Sequence, residues 1–263
     1  ADVFKLLSKE DVVPTKADRA VFALAPVVAF VPALMVFVVI PFGPKLIAGD
    51  LNIAVVYVGA LTSFAVLSFL MAGWSSNSKW PLLGAMRAAA QLVSYEVPLM
   101  LAVVAVAMMA GTLSLQGIVH WQQQHFWGIL VQWLGFAVFL VASMAELNRP
   151  PFDETEAESE LVAGYNTEYS GMRWAMFFLA EYTNLVSSAA VAVTLYFGGW
   201  SGPFLPPVVW FLLKVYLFIA IGMWIRWTFP RLRVDQLMEL GWKGLLPLAF
   251  LNIVITGVYV LVR

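Results

Sequence analysis

Seven long apolar stretches organise this chain, at residues 20–40, 51–73, 88–110, 126–147, 172–197, 208–227 and 244–261. Each approaches or exceeds the roughly 20 residues that a helix needs to cross the hydrocarbon layer of a bilayer. Inside them the apolar residues run on continuously, rich in Ala, Leu and Met, without the alternation that a membrane β-strand requires. The pattern therefore predicts an all-α, polytopic membrane protein, with seven transmembrane helices in one helical domain spanning residues 1–263.

Composition agrees with the pattern. The chain is 62% hydrophobic and only 12% charged, with a mean hydropathy of +0.84, which lies outside the range of soluble domains. Charge then adds orientation, because Lys and Arg near the ends of spans are retained on the cytoplasmic side. Twelve of the 15 basic residues fall in one alternate set of connections, and only Lys45 and Arg263 fall in the other. The remaining one, Lys214, lies within a span, where it either snorkels outward or pairs with a buried acid. The first 19 residues precede the first span with Val3, Phe4, Leu6 and Leu7 set among charges. They suit an amphipathic segment on the cytoplasmic membrane surface rather than a signal peptide, and the chain is expected to continue upstream.

Several chemistries are excluded by residue type. With no cysteine, the chain supplies no thiolate to an iron-sulfur cluster and forms no disulfide. Its two histidines, His120 and His125, share one outer connection with no carboxylate near them in sequence, so neither an internal haem nor a zinc site is expected. No nucleophile triad, phosphate loop or basic nucleic-acid surface is present.

Acids carry the remaining signal. Glu96, Glu146 and Glu181 lie within or at the ends of spans, where a carboxylate is expensive and marks either a functional group or an interhelical hydrogen bond. At about 1.5 Å per residue, Glu96 is some 12 Å from the start of its span, Glu181 about 14 Å and Glu146 about 3 Å from the end of its own. All three then occupy the cytoplasmic half, on three helices, and permit a lateral row of protonatable groups. A second concentration lies at 146–168, where seven of the 16 acids meet only Arg149. That stretch has a net charge of -6 and leaves +5 on the rest of the chain. Pro150, Pro151, Asp153 and Glu154 read as a helix start. Glu154 with Glu158, and Glu156 with Glu160, then repel at i,i+4, so the segment is expected to meet basic partners or line a polar cavity.

The segments "NRPPFDETEAESELVAGYNTEYSG", "GWSSNSKWPLLGAMRAAAQLVSYEVPL", "FKLLSKEDVVPTKADR" and "IRWTFPRLRVDQLMELGWK" resemble the membrane-embedded H subunit of bacterial NADH:quinone oxidoreductase, respiratory complex I, along essentially the whole chain. The resemblance implies an eight-helix subunit of which seven helices are here, the first, one wall of the quinone chamber, having no counterpart. It implies a heel-piece in the inner (plasma) membrane that joins the redox arm to the membrane arm. Glu96, Glu146 and Glu181 would belong to a proton path. Arg149, Asp153, Glu156, Glu158, Glu160 and Glu168 would form the quinone chamber and coupling loop within an acidic cytoplasmic-side segment, 149–171. Ser63 stands where some members place a further glutamate, so the path is expected to run through water there. By the same resemblance quinone is the substrate, and the iron-sulfur clusters, FMN and NADH sit in partner subunits. The partners are the peripheral-arm quinone-reactive subunits, small adjacent membrane subunits and lipid. Two alternatives stay open on the residues alone, the homologous subunit of a membrane-bound hydrogenase and an independent ion transporter.

Overall fold

A computed structural model describes residues 2–153 and 164–262, and among these there are helices and no strand. The helices are α1 (Asp2–Ser8), α2 (Arg19–Met35), α3 (Ala54–Thr62), α4 (Phe64–Ser75), α5 (Lys79–Ala110) and α6 (Leu115–Gln124), followed by α7 (Gly128–Val131) and α8 (Trp133–Glu146). After the acidic stretch come α9 (Gly171–Tyr196), α10 (Pro207–Thr228), α11 (Val234–Glu239) and α12 (Leu246–Val262). Six helical segments have the length and apolarity to cross a membrane: Arg19–Val38, Ala54–Ser75, Lys79–Ala110, Gly171–Tyr196, Pro207–Thr228 and Val234–Val262. The shorter α8 is a seventh, so the chain is an all-helical, multi-pass membrane protein.

Two spans show most directly how the helices differ from the sequence pattern. Hydropathy starts the third at residue 88, whereas its helix begins at Lys79 and runs 32 residues. Glu96 is therefore some 26 Å from the start of α5, near its midpoint. The fourth span, expected over 126–147, divides at Gln132, whose backbone leaves the helical region (φ -111°, ψ 39°). Its side chain is taken instead by Thr256 of α12, which accepts from Gln132 Nε2 at 2.6 Å. Hydropathy cannot see such a break, because it scores the same residues whether or not the helix is continuous.

α5 is the central element, packed on α4, α8 and α12, while α2 lies against α4 and α9. Small residues permit the approach, since lipid offers no hydrophobic drive and close contact must hold membrane helices together. At Gly73 of α4, an added Cβ would sit 2.3 Å from the Ala85 Cβ of α5, so only glycine fits there. One buried core gathers Leu99, Ala102 and Val106 of α5 with Phe139, Ala142 and the 189–196 stretch of α9. A second joins Phe22 and Ala29 of α2 to Tyr169 and Phe177, where the Phe22 and Tyr169 rings stack at 4.0 Å.

Lys214 reaches toward the end of its span and makes no ion pair with a described acid. Its ammonium donates to the carbonyls of Phe197 (2.7 Å), Gly199 (3.0 Å) and Ser201 (2.7 Å), closing the turn between α9 and α10. The Trp127 ring lies 5.1 Å from the same nitrogen.

Candidate functional site

The end of α8 is held by α5. Gln91, fully inside the protein, donates from Nε2 to the carbonyls of Ala145 (2.8 Å) and Phe152 (2.9 Å), on either side of the turn that follows Glu146. The Tyr95 ring packs on Phe152 at 5.8 Å, and its hydroxyl donates to the Leu237 carbonyl at 2.7 Å. The backbone of Leu232 adds a bond to the Pro151 carbonyl at 3.0 Å. These bonds fix the root of the acidic stretch and, with it, Glu146 and Arg149. Residues Pro150 to Phe152 make a turn, and the helix expected to start there runs on into residues outside the described ones. Glu154, Glu156, Glu158 and Glu160 lie outside the described residues.

Arg149 is buried, 3% exposed, and its Nη2 lies 3.0 Å from Oε1 of Glu181, which is 28% exposed. The guanidinium also lies over the Tyr182 ring, 4.5 Å from its centroid. Its Nε and Nη1 have no hydrogen-bond acceptor among the described residues. Asp153 pairs with Arg231 at 3.4 Å, and both Asp153 and Arg226 act electrostatically on Glu181. Glu168 is half-buried just before α9 and makes no ion pair with another described residue.

Glu146 lies between two small cavities. One, of about 60 Å³, is lined by Thr62, Leu99, Asn184, Ser187 and Ser188 beside Glu146. The other, of about 30 Å³, reaches Ser68, Asn148 and Glu181. Glu146 and Asn184 line both. Most of the lining groups are apolar, but the side chains of Glu146, Thr62, Ser68, Asn184, Ser187 and Ser188 offer partners to a water, which needs roughly 10–15 Å³ and two or more hydrogen bonds. On the far side of the first cavity, the Thr62 side chain approaches Glu146, and Glu96 is close enough for the two carboxyl charges to interact. Ser63, the next residue along the chain, hydrogen-bonds Glu96 directly through its hydroxyl.

Glu96, Glu146 and Glu181 are thus successive neighbours: Glu96, bonded to Ser63, acts on Glu146, and Glu146 shares a cavity and Asn184 with Glu181, the partner of Arg149. Asn184, Ser187, Ser188, Thr62 and Gln91 were not singled out by sequence. Thr62 and Gln91 carry no charge to mark them. Asn184 does carry a signal, as the residue three positions after Glu181 and on the same face of α9.

A sequence model of the NADH dehydrogenase family matches residues 1–257. The chain is 52% identical over 261 residues to the NADH-quinone oxidoreductase H subunit of Dehalococcoides mccartyi strain 195, covering 99% of this chain and 73% of that protein. The chain belongs to this family. The H subunit of Brevibacillus brevis is 50% identical over 265 residues, with 99% of this chain and 79% of the relative covered. That of Bacillus thuringiensis strain Al Hakam is 50% identical over 261 residues, covering 98% and 78%. As a member of this NADH-quinone oxidoreductase family, the chain is a membrane component of an enzyme complex, with the other subunits as its partners.

Proposed function

We propose that this chain is the quinone-chamber and coupling subunit of a proton-translocating NADH:quinone oxidoreductase, with Glu96, Glu146 and Glu181 as its proton path. The observation that supports this most is the succession of neighbouring glutamates itself. Apolar helices would not bring three carboxyls together beside water-sized cavities with Asn and Ser side chains in their walls for stability alone, since replacing buried charges with apolar groups is often neutral or stabilising.

Reduction of a quinone takes up two electrons and two protons, so charge changes where it binds. Arg149, held on Glu181 and Tyr182 with two donor nitrogens that find no acceptor among the described residues, suits that place, as do Asp153 and Glu168 nearby in the chain. Glu156, Glu158 and Glu160 complete the coupling loop in this reading. A change of charge beside Arg149 alters its attraction for Glu181, and Glu181 passes the effect through the cavity it shares with Glu146. Glu96 hands it on toward neighbouring membrane subunits. The electrons arrive from iron-sulfur clusters in the peripheral-arm subunits, where FMN and NADH also belong, and this chain holds no redox group. The excess of basic connections sets the acidic stretch on the cytoplasmic side of the inner membrane.

The test uses the assembled complex in membrane vesicles. Glu96→Gln and Glu146→Gln keep size and hydrogen bonding but carry no titratable proton. Each is expected to lower quinone reduction and proton transport together, by about tenfold or more, with assembly intact on a native gel. Full pumping in both variants removes the path.

A further inference from the structure

We infer that Thr62 and Ser63, the consecutive hydroxyl residues where α3 breaks into α4, are positioning residues that tie the protonation of Glu96 to that of Glu146. The inference rests on the reading of these glutamates as a path and names the groups that couple them. Where the resemblance implies water at Ser63, its side chain itself contacts Glu96.

Ser63 Oγ bonds Glu96, Thr62 approaches Glu146, and both hydroxyls lie 3.0 Å from one further acceptor, the Gly59 carbonyl oxygen. The Ser63 backbone N–H points at that same oxygen, at 3.3 Å. Three donors therefore compete for a carbonyl with two lone pairs. The close fit is built in, because an added Cβ on Gly59 would lie 2.3 Å from Met100 Cε, one turn beyond Glu96 on α5. That glycine lets the α3 turn press against the helix bearing Glu96.

A hydroxyl has one proton to give, and this makes the arrangement a switch. When Glu96 is ionised, Ser63 donates to the carboxylate and leaves the Gly59 oxygen to Thr62. When Glu96 holds a proton, the carboxyl donates to Ser63 Oγ, and the Ser63 proton turns to Gly59. Thr62 is then displaced from the crowded carbonyl and turns toward Glu146, which favours the Glu146 carboxylate. The reverse sequence follows when Glu146 is the protonated partner. Glu96 is the charged side chain that acts on Glu146 among the described residues, while Arg149, Arg226 and Asp153 act on Glu181. Like-charge repulsion disfavours two carboxylates and the shared carbonyl disfavours two carboxylic acids, so a proton gained on one side favours its loss on the other.

The experiment compares Ser63→Ala and Thr62→Val with Ser63→Thr and Thr62→Ser in the whole complex, alongside Glu96→Gln. Turnover, protons moved per quinone reduced and the pH profile of coupled turnover are measured. Removing either hydroxyl is expected to lower coupled turnover about tenfold and displace the profile by about one pH unit, the effect of one hydrogen bond to a charged group. The hydroxyl-retaining variants keep turnover within about twofold. The double variant Thr62→Val with Ser63→Ala should be no slower than the worse single, because the two act as one unit. Wild-type turnover and profile in both hydroxyl-free variants, with Glu96→Gln inactive, overturn the inference and leave the path standing. Full pumping in Glu96→Gln and Glu146→Gln overturns the path and the inference together.

Discussion

A buried guanidinium with one carboxylate partner among the described residues is a point of this site expected to be sensitive to substitution. Arg149 gains its place from Glu181, the Tyr182 face and the tight turn held by Gln91. Arg149→Met leaves Glu181 in an apolar setting without its cation, a loss of about 3 kcal/mol for a pair that is only partly open to water. The thermal inactivation midpoint of the complex should fall, and quinone reductase activity with it. Arg149→Lys keeps the charge but not the planar group that stacks on Tyr182, so it should restore stability better than activity. Equal inactivation midpoints in wild type and Arg149→Met would show that the pair contributes nothing to holding the site.

Between residues and the molecule, the breaks in the helices matter more than their lengths. α3 and α4 part at Ser63, α7 and α8 at Gln132, and a π-helical turn over Leu240–Leu245 joins α11 to α12. Each break frees backbone or side-chain groups that a continuous helix would cover, and the first supplies the hydroxyls beside the two glutamates. In the connection between α5 and α8, Gln122 donates to Thr194 (2.8 Å) and Leu195 (3.1 Å) and accepts from Gly128 (2.9 Å) and Gly198 (3.0 Å). Gln122→Ala strands those buried backbone groups, at a cost of about 3 kcal/mol. Complex carrying it should inactivate at lower temperature while its quinone turnover, measured cold, stays near wild type. A selective loss of turnover with unchanged heat resistance would place this connection in the mechanism instead.

For the whole molecule, the outward surface is apolar: Trp224 and Trp227 of α10 are 71% and 80% exposed, and Leu261 of α12 is 87% exposed. Such faces meet lipid or neighbouring membrane subunits, so extraction requires detergent. The purified chain should show no haem or iron-sulfur absorption of its own, since it has no cysteine and only two histidines. A visible spectrum that persists in the isolated protein and vanishes on His120→Ala would reverse that assignment.

Hydropathy determined the membrane class and the number of spans, because a 20-residue apolar run has few places to go but across a bilayer. The acids at Glu96, Glu146 and Glu181 were legible for the same reason, each a costly group in an otherwise apolar run. Depth along a helix follows from counting, provided the helix start is right, and the early start of α5 at Lys79 moved Glu96 to mid-helix. Azimuth does not follow from counting. A helix that is apolar all round has no polar face to show which way Glu96 points, so its meeting with Ser63 was decided by the packing of α3, α4 and α5. The same holds for Arg149 with Glu181, which are 32 positions apart, and for Lys214, whose partners are backbone carbonyls that every residue type possesses. The sequence placed the charges in the membrane, and only the tertiary contacts chose their partners, because a partner is fixed by distance in space and not by position along the chain.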